Sequence, residues 1–161
     1  MPSPVGHGLA GIAIGWNLAP RRNRAVAATL AVIAIAPDLD LLIGTHREAS
    51  HSLGAAALAG AVAFLVCRDN RWRWAGAVAL AWASHVLLDW LSNDTRPPIG
   101  VMALWPLTHD YFKAAIEIFP PVSRRYWESR FWLYNLRALV TEVLIIGPVT
   151  GLVLWRTRRA R

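Results

Sequence analysis

His85 and Asp89 lie four residues apart in an otherwise apolar segment, WAGAVALAWASHVLLDWL, at residues 74–91. On an α-helix, side chains four residues apart lie on the same face, one turn from each other. An imidazole and a carboxylate in this arrangement can bind one metal ion, or they can hydrogen-bond to each other in a core. For the pair taken alone, the hydrogen bond is the simpler interpretation.

Earlier parts of the chain carry more residues of the same types: His7, Asp38, Asp40, His46 and His51. Imidazoles and carboxylates without a thiolate suit Zn, Mn or Fe, and a set of this size could hold two ions. Each residue also has a simpler interpretation. The two aspartates behind Pro37 could cap a helix, and His51 could be an ordinary first-turn residue.

Apolar runs of helical length predict the elements that position these residues, and few alternating patterns suggest strands. We expect helices over about 7–18, 24–36, 51–67, 73–92 and 123–156. The last helix is expected to kink near Gly147 and Pro148. The region 99–123, which contains WPLTHD, is expected to be irregular.

An antiparallel path through these helices separates two kinds of residue. The basic clusters RRNR (21–24), RDNRWR (68–73) and RTRRAR (156–161) fall at one end. His7, PDLD (37–40), THREASHS (45–52) and Asp89 fall at the other. We therefore predict an all-α antiparallel bundle with a polar metal cluster at one end, because separate simpler interpretations do not explain this convergence.

The composition indicates a membrane protein. The 161 residues are 55% hydrophobic and 17% charged, against about a quarter charged in soluble domains. Most of the nine tryptophans lie near the ends of apolar runs, and the net charge of +7 occurs as short clusters between them. This distribution favours the positive-inside pattern and argues against a nucleic-acid partner. The single cysteine excludes an internal disulfide and a Cys-rich zinc site.

Most of the predicted helices are shorter than the ~20 residues that usually span a bilayer. We therefore expect a multi-pass or partly embedded protein of the inner (plasma) membrane. The predicted domains are a metal-dependent helical domain at 1–120 and a C-terminal helical anchor at 121–161.

Four motifs in order, PDLD, HREASHSL, HVLLDWL and GVMALWPL, resemble the membrane-bound metal-dependent hydrolase family. Its members are also described as LexA-binding, inner-membrane-associated, inferred hydrolases. The resemblance extends from His7 to about His109. One departure is the stretch from Glu48 to Ser50, where the family more often has glycine and a β-branched residue or threonine.

The family is distantly similar to zinc-dependent phospholipase C and the fungal single-strand nucleases. This resemblance implies a first ion bound by a PDLD aspartate with His51, His85 and Asp89, and a second bound by Asp89 with His7. For a third ion only His109 and Glu117 are available. We therefore expect one or two divalent ions, zinc above all, with Mn as the other choice.

The function implied is hydrolysis of a phosphoester at the membrane, with a small-molecule or lipid substrate. Whichever of Asp38 and Asp40 is not a ligand would act as general base. His46 and Arg47 would orient the substrate or stabilise developing charge. The alternative is a non-enzymatic membrane protein whose structural metal site binds a regulatory protein partner. An open coordination position would favour the enzyme.

Overall fold

The computed structural model describes residues 1–43, 46–95 and 97–159, and within them it contains five α-helices and no strand. The helices are α1 (Pro4–Gly15), α2 (Arg24–Ile35), α3 (Leu53–Val66), α4 (Arg71–Trp90) and α5 (Phe131–Arg159). Short 3-10 helices at Ala36–Leu42 and Ala49–His51 follow α2 and precede α3. The all-α prediction is confirmed.

Side-chain caps explain where α1, α2 and α3 begin. The Ser52 hydroxyl accepts a hydrogen bond from the Ala55 amide, so α3 begins at Leu53. Helix α5 begins eight residues later than expected. The Asn135 side chain bonds both backbone groups of Ser123, at 2.8 and 3.0 Å, and holds the preceding segment in a non-helical turn.

The basic clusters lie together, as the antiparallel path predicts. Arg73 donates to the carbonyls of Leu18 (3.2 Å) and Ala19 (3.4 Å), which joins the α1–α2 and α3–α4 connections. The indole of Trp16 donates to Thr157 Oγ1 (2.9 Å), which brings the end of α5 to the same place. Three residues of the predicted polar clusters, Thr45, Ala160 and Arg161, lie outside the described residues.

Small residues let α1, α2 and α4 pack closely. Leu30 of α2 is fully buried together with Ala77 and Ala81 of α4. A Cβ at Gly15 of α1 would lie 2.8 Å from the Ala77 carbonyl, so only glycine allows this approach. Helices packed this closely can bring the side chains at their ends into contact, and the polar residues lie at one set of these ends.

Among the described residues, two helical stretches are long and apolar enough to cross a bilayer, Arg24–Leu42 and Phe131–Thr157. Both present large apolar side chains to the outside, such as Val32 (65% exposed) and Leu144 (69% exposed). Helix α5 also packs along α1. The division into domain and anchor near residue 120 stays a prediction.

Leu30→Ala should lower the free energy of unfolding by about 2–5 kcal/mol, because it leaves a cavity between α1, α2 and α4. The matched control is Leu65→Ala on α3, where the side chain is 80% exposed. Thermal unfolding followed by circular dichroism in detergent measures both. Equal shifts in Tm would contradict the packing described.

Candidate metal centre

Five ligand-type side chains meet at the end of the bundle opposite the basic clusters. They come from four parts of the chain: His7 from α1, Asp38 from the 3-10 helix after α2, His51 from the turn before α3, and His85 and Asp89 from α4. The side chains of His7, His51, His85 and Asp89 are fully buried. The antiparallel packing of the helices thus produces the convergence that the sequence predicts.

The Asp89 carboxylate lies at the centre of this group. Its Oδ1 is 3.5 Å from His7 Nε2, and its Oδ2 is 3.4 Å from His51 Nε2 and from His85 Nε2. Asp38 Oδ1 lies 3.6 Å from the same two histidine nitrogens. The rings of His7 and His85 stack with their centroids 3.7 Å apart. One carboxylate therefore faces three imidazoles.

These facing atoms have no hydrogen-bond partner among the described residues. They are His7 Nδ1 and Nε2, Asp38 Oδ1, His51 Nε2, His85 Nε2, and both Asp89 oxygens. Burying so many polar atoms without partners is costly, and native proteins rarely do it without a reason. Two ligands of one tetrahedral zinc ion lie about 3.3–3.5 Å apart, given zinc–ligand bonds of about 2.0–2.2 Å. The donor types and their spacing therefore fit a divalent metal ion.

Hydrogen bonds behind two of the histidines fix which nitrogen faces the cluster. His85 Nδ1 lies 2.7 Å from the Ala34 carbonyl, and His51 Nδ1 lies 3.0 Å from Asp40 Oδ2. Because these oxygens only accept, each Nδ1 donates and each Nε2 faces the cluster as the nitrogen that a metal would bind. His85 and Asp89 do not hydrogen-bond to each other, so the simpler interpretation of this pair does not describe the structure.

Burial and the neighbouring carboxylates shift the pKa of His51 in opposite directions. Burial alone would lower the pKa of His51, but the neighbouring carboxylates of Asp38 and Asp40 raise its pKa to about 9. The two carboxylates therefore favour the imidazolium form of His51 when no metal is bound.

The two aspartates of PDLD face different partners. Asp38 points its Oδ1 into the cluster. Asp40 Oδ1 lies 2.6 Å from His46 Nδ1, and its Oδ2 accepts from the Arg47 amide (3.2 Å), the Ser50 hydroxyl (2.7 Å) and His51. Asp40 thus lies behind the cluster and orients the loop that carries the histidines.

A cavity of about 470 Å³ adjoins the cluster, and Asp38, His46 and Arg47 line it. Arg47 has a positive φ of 70°, a sparsely populated conformation for a residue other than glycine. Its guanidinium pairs with Asp94, whose Oδ2 also accepts a hydrogen bond from the Gly100 amide (2.8 Å). The Arg47–Asp94 ion pair is therefore fixed in the cavity wall.

His46 is the histidine at the border of cluster and cavity. Burial lowers the pKa of His46, and its hydrogen bond to Asp40 partly offsets that shift. The neutral ring is therefore favoured near neutral pH, the form that a proton acceptor requires.

The structure does not bring every sequence candidate to the centre. His109 is exposed, and Glu117 pairs with Lys113 and Asn93. Sequence reasoning missed Asp94 and Arg124, which both line the cavity. Neither has a local signal: Asp94 lies in the loop SNDTRPP, and Arg124 lies in a stretch that resembles no motif.

The family model described as YdjM inner membrane protein matches residues 1–160. Its description supports the predicted inner-membrane location and names no reaction. Comparison with curated proteins and with solved structures found no match.

Purified protein in detergent should contain one or two equivalents of Zn or Mn. His85→Ala and Asp89→Ala should each lose them, because each removes a donor from the buried cluster. Elemental mass spectrometry measures the content, and His109→Ala is the control because its ring is exposed and belongs to neither group of clustered ligand atoms. A folded wild type that takes up no added metal after chelation would contradict the assignment.

Proposed function

We propose that this chain, which belongs to the YdjM inner membrane protein family, is a divalent-metal-dependent hydrolase of phosphoesters with a phospholipid-like substrate. One observation carries the proposal. Buried ligand atoms without hydrogen-bond partners among the described residues converge beside a cavity that has arginines in its wall.

His7, Asp38, His51, His85 and Asp89 would hold one or two ions. The ligand atoms of His7, His85 and Asp89 lie within 4.8 Å of one another. Nitrogen and oxygen donors without thiolate suit zinc first and manganese second. When bound, such an ion supplies Lewis-acid activation of a water molecule and of a phosphoryl oxygen.

Proton transfer is assigned to His46. Its Nδ1 is held by Asp40 Oδ1, and its ring lines the cavity beside Met1. His46 Nε2 lies 2.6 Å from Met1 Sδ, so it would take a proton from the attacking water once the Met1 side chain moves aside, while Nδ1–H stays bound to Asp40. It would then pass that proton to the leaving oxygen. Asp40 would therefore act through His46, by fixing its ring and stabilising its cationic form.

Two arginines suggest that the substrate is an anion. Arg47 pairs with Asp94 in the cavity wall, and Arg124 lines the same cavity from the segment before α5. Guanidinium groups bind phosphate oxygens with paired, charge-assisted hydrogen bonds. They would hold a phosphoester and stabilise the charge that develops on it, whereas a neutral ester would use neither.

The rim of the cavity supports a lipid substrate. Leu41 lines the cavity, and the next two residues, Leu42 (83% exposed) and Ile43 (79% exposed), project outside. They lie at the end of the candidate span Arg24–Leu42. A substrate with a phosphoryl head in the cavity and an apolar part along this rim would use both surfaces.

The orientation we propose is multi-pass, with the basic end in the cytoplasm and the metal centre opening on the opposite side. Positive clusters remain on the cytoplasmic side of inner-membrane proteins, and all three clusters of this chain belong to one end. Phospholipid head groups are then directly accessible to the cavity.

Zinc-loaded protein should hydrolyse bis(4-nitrophenyl) phosphate or micellar phospholipid, and chelation should abolish the activity. His46→Ala should lower kcat by about 10²–10⁴-fold with metal content retained, because it removes proton transfer. His109→Ala should match the wild type. Stoichiometric metal without hydrolysis of either substrate would instead support a structural site that binds a regulatory partner.

Cys67, in the α3–α4 connection, is a natural probe of orientation. A membrane-impermeant maleimide should label it only after the cells are permeabilised. His109→Cys in a Cys67→Ser background places the thiol in the irregular region after α4 and should be labelled in spheroplasts. The reverse pattern would contradict the proposed orientation.

A further inference from the structure

Helix α5 contains a carboxylate that the proposed reaction does not use. Glu142 is fully buried, although its stretch of α5, Phe131–Thr157, is apolar enough to span a membrane. A carboxylate in such surroundings is costly unless it is compensated, and such residues generally serve a function. The compensating groups of Glu142 come from α1.

Both oxygens of Glu142 bind the start of α1. The Ser3 amide donates to Oε1 at 2.7 Å, and the Ser3 hydroxyl donates to Oε2. Ser3 is the N-cap residue of α1. The first turn of a helix has amides without helical partners and carries a partial positive charge, so a carboxylate there is stabilised. Glu142 therefore acts as a cap from a different helix.

Gly6 makes this contact close. A Cβ at Gly6 would lie 2.6 Å from Glu142 Oε2, so a larger residue here would displace the carboxylate from the first turn of α1. The next residue is His7, whose ring is buried in the metal centre and stacks on His85. The position of this first turn therefore determines where the His7 nitrogens lie.

Two other polar contacts join α1 and α5 farther along the pair. Thr150 Oγ1 donates to the Leu9 carbonyl at 3.0 Å, and Trp16 donates to Thr157 Oγ1 at 2.9 Å. They hold the middle and the far end of α1. Thr150 is therefore a matched control, because it makes the same kind of interhelical contact without binding the turn that leads into His7.

We propose that Glu142 is a positioning residue for the metal centre: it fixes the first turn of α1 against α5 and thereby holds His7 among the ligands. The link to metal binding rests on the function proposed above. The link to the placement of His7 does not, since it follows from the contacts between the two helices.

The test compares full-length wild type, Glu142→Ala, Glu142→Gln and Thr150→Val in detergent. In chelator-treated protein, diethyl pyrocarbonate should modify His7 of Glu142→Ala at least about tenfold faster than in the wild type, by mass spectrometry. Its zinc affinity should fall by about 10–100-fold, as when other groups that orient metal ligands are removed. Glu142→Gln should be intermediate, because its amide oxygen still accepts from the Ser3 amide.

Thr150→Val should keep His7 protected and bind zinc within about twofold of the wild type, even where its Tm falls as much as that of Glu142→Ala. Equal exposure of His7 in both variants would overturn the proposal, as would a folded Glu142→Ala with protected His7. If Glu142→Ala does not fold, Glu142→Gln and Ser3→Ala carry the same comparison. Exposure of His7 in a protein that never binds zinc would support the positioning role and remove the metal-dependent function.

Discussion

The buried Asp89 carboxylate, with three imidazoles facing it at 3.4–3.5 Å, is the constraint on which the rest of the structure depends. These distances are too long for good hydrogen bonds and suit neighbours around a shared cation. Four segments must end at one place for such a group to exist. Glycine and alanine between α1, α2 and α4 satisfy this requirement, because larger residues would move the helix ends apart.

A second layer of contacts orients the histidines, and its residues are distinct from the ligands themselves. Three groups fix histidines without adding an atom to the centre. Asp40 and the Ala34 carbonyl accept hydrogen bonds from imidazoles, and Glu142 binds the residue that begins the turn leading to His7. Asp40 orients two imidazoles, His46 and His51, with one carboxylate. The donors can then remain close together without bonding to one another, because their positions are fixed from outside.

The sequence predicted the convergence because antiparallel connections alone determine which helix ends meet. It could not distinguish Asp38 from Asp40, since both lie in one 3-10 helix and only their tertiary partners separate them. Arg47 contacts Asp94 across 47 positions of the sequence, and Ser3 contacts Glu142 across 139 positions. Such contacts leave no periodic or local signal, whereas the i, i+4 spacing of a ligand pair does.

The position of the centre along the bundle also has a physical reason. A group of buried carboxylates halfway along apolar helices would face the full cost of desolvation, whereas at the helix ends it can open to a cavity that arginines line.

The same end borders the exposed Leu42 and Ile43 at the close of a candidate span. In the proposed orientation, this combination of cation sites and apolar rim lies where a bilayer changes from phosphate to hydrocarbon. In that orientation the apolar outer face of α5 would contact lipid, and its contact with α1 through Glu142 would position a ligand of the proposed centre. Membrane insertion and assembly of the site would then be one structural requirement, which would explain how a polar centre is maintained in so apolar a chain.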